Sequence, residues 1–278
     1  MKIKLTLLSA ALAAISLGSA SASVLVDIPF NYSGGLPQTV QNIAGTSVSA
    51  TGVTGNFTNA ATVGSLTAGS ALSYTVSGGG TIAAGTSGLA LTGATNTSIA
   101  YSTAITGQTI YARFLYNTSV LTNRMILSLG NSGSVNAPAT SGTPRFDLNL
   151  AAIAIDVTGN GNNASPTFTF AANTTYLVVA RVNWSGTAYT TMNLWVNPAY
   201  NGGVAPTPYA SATSPVGTAT SLTSMDFRSL TATGTMSIDN FAIGTTWADV
   251  VVVPEPATWA LLAFSLTSVM ILRRSRQS

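Results

Sequence analysis

The carboxyl groups of this 278-residue chain that could act as acids or bases belong to six aspartates and one glutamate, and histidine and cysteine are both absent. The chain therefore cannot form a Ser-His-Asp triad, a Cys-His dyad or an ordinary zinc site. Two aspartates could still hydrolyse a glycosidic bond if their carboxyl groups faced each other about 5 to 9 Å apart. No pair falls in an active-site motif, so we expect a non-enzymatic protein with no catalytic residue and no cofactor. The aspartates are Asp27, Asp147, Asp156, Asp226, Asp239 and Asp249.

One segment has the spacing of a calcium-binding loop. Residues 156–162 place oxygen-bearing side chains at the first, third and fifth positions, with glycine at the sixth. Position twelve is Thr167, where an EF-hand loop has a glutamate, and one carboxylate leaves a doubly charged ion unbalanced. We therefore predict a turn without a metal, between a strand ending near Ile155 and a strand containing Phe168 and Phe170.

An alternating segment at residues 192–198 offers a hint of a ligand. The period of two puts Trp195 on the same side of a strand as Asn193 and Asn197, opposite its aliphatic residues. An exposed indole flanked by amides could stack on a sugar ring, which would make these three residues glycan contacts of a lectin-like module. The alternative is that Trp195 packs beneath the following loop or against a second sheet, because tryptophan is usually well buried.

Alternation of apolar and polar residues predicts strands at residues 109–117, 145–150, 175–184 and 189–197. The last two are joined by a Ser-Gly-Thr turn at residues 185–187 and should form a hairpin. Farther along, Met236 and Ile238 alternate with polar residues, and Phe241 and Ile243 then change the phase, which indicates a β-bulge. The sequence predicts an all-β fold with antiparallel pairing.

The phrases at residues 175–183, 192–198 and 237–249 resemble laminin G-like or concanavalin A-like domains. The resemblance covers roughly residues 109–250 and implies an antiparallel jelly-roll β-sandwich. Residues 43–97 are so rich in Gly, Ala, Ser and Thr that few strands can be assigned there. They either complete the sandwich or form long loops around it.

The C-terminal residues fall into three parts. Pro254, Glu255 and Pro256 come first, followed by sixteen uncharged residues, 257–272, and then by the basic residues Arg273, Arg274 and Arg276. A helix of that length spans about 24 Å, which is marginal for a hydrocarbon core of roughly 30 Å. The arginines should keep the C-terminus in the cytoplasm. We expect a single transmembrane helix at about 257–272.

The N-terminus has the pattern of a secretory signal peptide. Lys2 and Lys4 precede an apolar stretch at residues 5–17, and Ala20 and Ala22 are the small residues of a cleavage site. We expect cleavage after Ala22, which makes Ser23 the first residue of the mature chain.

The C-terminal pattern resembles the PEP-CTERM sorting signal of Gram-negative bacteria. The resemblance implies that signal peptidase and the membrane protease exosortase process the chain. The precursor would be held in the inner membrane by its C-terminal helix, and the product would be at the cell surface or extracellular. The expected organisation is a signal peptide at 1–22, a β-sandwich at 23–250 and a sorting signal at 251–278.

Charge excludes nucleic acid as a partner. The formal net charge of +3 arises at the two ends, whereas the region between them has five arginines against six aspartates. No cluster of cations is available to neutralise phosphates. The leading hypothesis is a surface or matrix protein associated with extracellular polysaccharide. The alternatives are a lectin-like glycan-binding module and, third, a divergent glycoside hydrolase that uses aspartates.

Overall fold

In a computed structural model of the protein, residues 24–30, 50–59, 65–83, 85–120, 124–130, 144–149, 152–156, 168–212, 219–230 and 233–251 are described. The described chain is all-β, with a single short helix. Its elements are β1 (Val24–Ile28), β2 (Val53–Asn59), β3 (Ser65–Gly69), β4 (Tyr74–Thr75), β5 (Thr81–Ile82), β6 (Gly88–Thr92), β7 (Thr95–Ile105), β8 (Ile110–Thr118), β9 (Arg124–Gly130), β10 (Arg145–Asn149), β11 (Ala152–Asp156), β12 (Tyr176–Ser185), β13 (Ala188–Val196), β14 (Ala210–Ala212), β15 (Leu222–Ser229), β16 (Thr235–Gly244) and α1 (Trp247–Val250).

Two antiparallel sheets form the body. The eight-stranded sheet has the order β14-β13-β12-β8-β16-β6-β3, and β1 also pairs with β16. The six-stranded sheet has the order β11-β10-β9-β15-β7-β2, and β4 and β5 form a separate hairpin. Antiparallel pairing confirms the predicted fold class at this level. Because β2, β3 and β6 lie within residues 43–97, this Gly- and Thr-rich part of the chain completes both sheets.

The two sheets bury their inward faces against each other. Phe114 and Val178 project from the eight-stranded sheet, and Leu127 and Phe146 project from the six-stranded sheet; all four belong to one buried cluster. The rings of Phe227 on β15 and Phe241 on β16 meet edge to face, with centroids 5.8 Å apart. Burial of a large apolar side chain stabilises a fold by about 1.5–3 kcal/mol, so this cluster is the main source of stability in a chain without disulfides.

The hairpin of β12 and β13 and the bulge in β16 follow the sequence predictions. The two strands pair along most of their length around a turn in which Gly186 has a φ of 65°. In β16 the register with β8 shifts between Asp239 and Ala242, and Asn240 has a φ of 51°. The bulge turns Phe241 inward and therefore produces the phase change that the sequence shows.

The aromatic residues Phe168 and Phe170 were predicted to lie in a strand, and this prediction is wrong. Their segment has no strand pairing, and its rings pack instead with Tyr176 and Tyr209 at centroid distances of 4.9 to 5.6 Å. An alternating apolar pattern looks the same in a strand and in an extended segment anchored by its rings. The tertiary contact decides between them.

Several sequence predictions lie outside the described residues. They include the signal peptide with Ala20, Ala22 and Ser23, and the calcium-like turn after Asp156. The sorting signal and its apolar segment are also outside, with Pro254, Glu255, Pro256, Arg273, Arg274 and Arg276. Within the described ranges, no helix is long and apolar enough to cross a membrane.

Candidate functional site

The outer face of the eight-stranded sheet changes from apolar to polar across three rows of residues. Leu115 and Leu177 lie opposite each other in the first row. In the second row Val179 lies between Arg113 on β8 and Trp195 on β13. The third row is polar and is described below. Leu115 and Leu177 have no exposed surface, so another part of the chain must cover these apolar residues.

A covering layer closes these apolar rows. It consists of residues 72–82, which include the β4–β5 hairpin, of residues 198–209, and of α1 with the residue after it. The layer contributes Leu72, Val76, Ile82, Trp247, Val250 and Val251 to a second buried cluster. The rings of Trp195 and Trp247 lie 4.9 Å apart between centroids, and Trp247 also meets Tyr111 edge on at 6.1 Å. The indole nitrogen of Trp195 donates to the carbonyl of Pro206 at 2.9 Å. These contacts make one side of the sheet a second small core.

Polar contacts tie the covering layer to the sheet. The Leu72 N–H donates to Asp239 Oδ2 at 2.8 Å, and Arg113 Nη1 donates to the Val250 carbonyl at 3.0 Å. Burial lowers the pKa of Arg113, and the charge of Asp27 partly offsets that effect. The segment 198–209 is joined to the hairpin through a bond from Tyr200 N–H to the carbonyl of Ser77. Aromatic contacts and hydrogen bonds therefore hold α1 against the sheet.

The carboxylate of Asp249 holds the start of α1. Its Oδ2 accepts from the N–H groups of Thr245 and Thr246 at 2.9 and 2.7 Å. Asp249 is the third residue of α1, and its bond back to the N–H of Thr246, the residue that caps the helix, is one half of a capping box. The short connection between β16 and α1 is thus fixed in one conformation.

Gly244→Ala is expected to destabilise this connection by about 1–3 kcal/mol, in the range for overpacked sites. A Cβ at Gly244 would overlap the Cβ of Asp249, so α1 would have to move away from the sheet. Denaturation of the full-length chain followed by tryptophan fluorescence measures the effect. A Gly244→Ala chain as stable as the parent would show that Asp249 does not pack on Gly244.

The third row forms a polar shelf at the margin of the covering layer. We define the shelf as Tyr111, Arg181, Asn193 and Ser211, which lie opposite one another across β8, β12, β13 and β14, together with Asn183 and Thr191 of the next row. Asn193 is 8% exposed, and the other members are half-buried. The shelf is therefore partly open to solvent, whereas the apolar residues of the two rows beside it are buried.

Hydrogen bonds fix the shelf residues in place. Asn193 Oδ1 accepts from Arg181 Nε at 3.0 Å and from Nη2 at 2.6 Å, and Asn193 Nδ2 donates to Ser211 at 2.8 Å. Asn183 Nδ2 donates to the Thr191 hydroxyl. The guanidinium carbon of Arg181 also lies 6.0 Å from the ring centre of Tyr111 and 5.9 Å from that of Trp195, within cation–π range.

Of the three residues predicted as glycan contacts, Trp195 and Asn193 share the outer face of β13, whereas Asn197 follows the end of that strand. Trp195 is 3% exposed beneath residues 198–209 and α1, so the exposed ring needed for stacking on a sugar is absent and the packing alternative describes its position. Asn197, with a φ of 48°, accepts the Leu177 N–H with its side-chain oxygen and ends the strand. Asn193 lies within the shelf and orients Arg181.

The alternation at residues 175–184 puts Arg181 and Asn183 on the polar face of their strand, but it does not identify them as a site. The signal that could have done so is the cross-strand pairing of Arg181 with Asn193, which follows from the hairpin register. The contribution of Tyr111 comes from β8, which is more than sixty residues earlier in the chain. No local pattern shows that contact.

Two of the described aspartates, Asp239 and Asp226, are not shelf residues and have raised pKa values. Asp239 is fully buried, and its two oxygens accept the N–H groups of Leu72 and Asn240. Burial raises its pKa to about 6, although these two hydrogen bonds lower it. On the six-stranded sheet, burial raises the pKa of Asp226 to about 7, although a hydrogen bond from Ser98 lowers it. Both carboxyl groups therefore gain protons well above their ordinary pKa of 3.8.

Among the side chains that the structure describes, no three or more acidic, histidine or cysteine residues come together as a metal site. The described carboxylates of Asp239 and Asp249 are occupied by backbone N–H groups. The chemistry that the shelf offers is therefore hydrogen bonding and one positive charge.

Comparisons with known proteins give no family. No family model matches the sequence, and no curated protein matches it. Among solved structures, the carbohydrate recognition domain of Emp46p in its metal-free form is 8% identical, with 56% of this chain and 81% of that chain covered and a TM-score of 0.40. Lectin II from Ulex europaeus is 10% identical, with 68% and 97% covered and a TM-score of 0.39. The endo-beta-1,4-glucuronan lyase from the fungus Trichoderma reesei is 16% identical, with 68% and 90% covered and a TM-score of 0.40. Likeness at this level supports no conclusion about ligand or activity.

Proposed function

We propose that this protein is an exported, non-enzymatic surface or matrix protein, sorted by the PEP-CTERM route and associated with extracellular polysaccharide. Its body is proposed to be a jelly-roll sandwich of the laminin G-like or concanavalin A-like type. Signal peptidase and exosortase are the proposed processing enzymes. The precursor is held in the inner membrane with its C-terminus in the cytoplasm, and the product is at the cell surface or extracellular.

The observation that carries the proposal is the position of the Pro-Glu-Pro motif relative to the folded body. Val251 is buried in the second cluster and accounts for the last described contact with the sheet. Pro254 follows three residues later, and three residues reach at most about 11 Å. In sequence the motif thus follows closely on the last described residue, and removal of the motif with the tail would leave the described contacts of α1 intact.

The composition of the body supports a non-enzymatic role. The chain has no histidine or cysteine, and its one glutamate is Glu255 in the sorting motif. Asp239 and Asp249 are held by backbone N–H groups, as expected of structural carboxylates. A glycosidase would need two facing carboxyl groups, one of them free to donate a proton to the leaving group.

Replacement of Pro254, Glu255 and Pro256 by alanines is expected to leave a full-length tail on the protein in a host that contains exosortase. The motif is the part of the tail that a processing enzyme would recognise, since its prolines keep the chain extended. The measurement is the mass and membrane retention of the chain. Thr258→Ala, two residues beyond the motif, is the matched control and should be processed normally. Normal processing of the triple variant would refute the sorting assignment.

A further inference from the structure

We propose that the shelf binds an acidic sugar of an extracellular polysaccharide, with Arg181 pairing with a carboxylate or sulfate group and with Asn183 and Thr191 bonding to neighbouring hydroxyls. This proposal names the ligand class for the polysaccharide association proposed above and rests on it. The two anions share the same chemistry, which is a negatively charged group of oxygens beside sugar hydroxyls. The experiment below distinguishes them.

Arg181 has the geometry of an anion ligand. A guanidinium has five N–H donors, and the two bonds to Asn193 Oδ1 use one hydrogen on Nε and one on Nη2. Three hydrogens remain, including both on Nη1, for which the described residues provide no acceptor. A planar fork of this kind suits the two oxygens of a carboxylate or sulfate.

The charge of Arg181 is not balanced by a neighbour. In the described part of the chain its partners are the amide of Asn193 and two aromatic rings, and none of these is an anion. Of the described aspartates, Asp239 and Asp249 direct their carboxylates to backbone N–H groups. Asp226 belongs to the six-stranded sheet, and Asp27 on β1 interacts with Arg113. A half-buried cation without a counter-ion attracts an anion more strongly than one fully in water, because the effective dielectric constant is lower there.

The side chain is also held in position before any ligand arrives. Asn193 is fixed from its other side by Ser211, and the rings of Tyr111 and Trp195 flank the guanidinium. Immobilising a free arginine normally costs binding free energy. At the shelf, the side chain of Arg181 is already ordered in the folded protein, so binding of a ligand does not have to order it.

Asn183 and Thr191 add the donors and acceptors that a sugar requires. They lie two residues from Arg181 and Asn193 along their strands, a distance of about 7 Å. The bond between them uses one hydrogen of the Asn183 amide and one lone pair of the Thr191 hydroxyl. The hydroxyl hydrogen of Thr191 and the Asn183 oxygen are left to pair with sugar hydroxyls, at a distance from Arg181 that one substituted pyranose can bridge.

Other ligand classes fit the shelf less well. Nucleic acid needs several cations for its phosphates, and the shelf has one. A protein partner usually buries large apolar side chains, and the exposed large apolar residues of the described chain are Val24 and Val204, which are not shelf residues. One fixed cation beside an amide and a hydroxyl is better matched to a single acidic sugar.

The test is titration of the full-length chain in detergent with three oligosaccharides of equal length: an oligogalacturonate, a sulfated neutral-backbone oligomer and an uncharged oligomer. We expect at least one anionic oligomer to bind and the uncharged one to bind at least tenfold more weakly. Arg181→Gln should weaken anion binding by about tenfold or more, in line with the loss of charge-assisted hydrogen bonds. Arg181→Lys keeps the charge but loses the fork, and it should lie between the two.

Arg228→Gln is the matched control, because it removes the same charge from the six-stranded sheet and should leave binding unchanged. Tryptophan fluorescence and thermal melting of each variant establish that it is folded. Binding of the carboxylated oligomer assigns the shelf to uronic acids, and binding of the sulfated one alone assigns it to sulfate esters. The proposal is overturned if neither anion binds, if the uncharged oligomer binds equally well, or if folded Arg181→Gln binds like the parent. Because processing at the ends is measured by mass, a failure of sugar binding is separate from a failure of the export proposal.

Discussion

Trp247→Ala is expected to lower the free energy of unfolding by about 3–5 kcal/mol, the range measured when a large aromatic side chain is removed from a core. The indole is 3% exposed and packs on both Trp195 and Tyr111. Its removal leaves a cavity between α1 and the sheet, and Val250 and Val251 lose their neighbour. Denaturant unfolding of the full-length chain measures the change, and acrylamide quenching should show greater exposure of Trp195.

Val204→Ala is the control within the covering layer. Val204 is 65% exposed, so its truncation should change stability by no more than about 0.5 kcal/mol. If Trp247→Ala is as stable as this control, α1 is not packed on the sheet. In that case the second core would not exist as described.

The folded protein is expected to be more stable near pH 5 than near pH 8. Burial raises the pKa of Asp226 to about 7 and that of Asp239 to about 6, from an ordinary value of 3.8. Between about pH 4 and 7 the folded chain therefore binds more protons than the unfolded chain, so the free energy of unfolding falls as the pH rises. One pKa unit corresponds to about 1.4 kcal/mol, so the rise in the pKa of Asp239 alone lowers the free energy of unfolding by up to about 3 kcal/mol between pH 4 and pH 8. Thermal melting at a series of pH values measures the effect.

Substitution by asparagine separates the two carboxyl groups. The Oδ1 atom of Asp226 is buried and has no hydrogen-bond partner in the described chain. Asp226→Asn removes the charge of this carboxylate, so the variant should be more stable than the parent at pH 8, and its stability should depend less on pH. Asp239→Asn is the contrast: one of its two accepting oxygens becomes an NH₂ group facing an N–H, and stability should fall at every pH. Stability that rises from pH 5 to pH 8, or an Asp226→Asn chain with the parent's pH profile, would contradict this account.

Local alternation carries much of the information about the fold. The β12–β13 hairpin is readable because its apolar residues alternate on both sides of a Gly-containing turn. The bulge in β16 is readable because a bulge must reverse the phase of alternation. The sheet order is not readable in this way. β16 lies between β8 and β6, and this neighbourhood depends on contacts between distant parts of the chain.

Alternation also does not predict the surroundings of the site residues. Alternation correctly puts Trp195 on the outer face, but exposure depends on what covers that face. The cover comes from three separate segments, and one of them, α1, is about fifty residues beyond Trp195. For Arg181, alternation predicts only an outward-facing side chain. Its contacts with Tyr111 and Asn193, which make it part of the shelf, depend on the pairing of three strands.

The measurement that tests the central claim most directly is the intact mass of the protein from membrane and extracellular fractions of a host with the PEP-CTERM system. The account predicts a product that begins at or near Ser23 and ends at or near the motif of Pro254, Glu255 and Pro256. Such a product would retain Val251 and hence the contacts of α1 with the sheet. A chain that keeps residues 257–278 in every fraction would contradict the account and would make the tail a permanent membrane anchor.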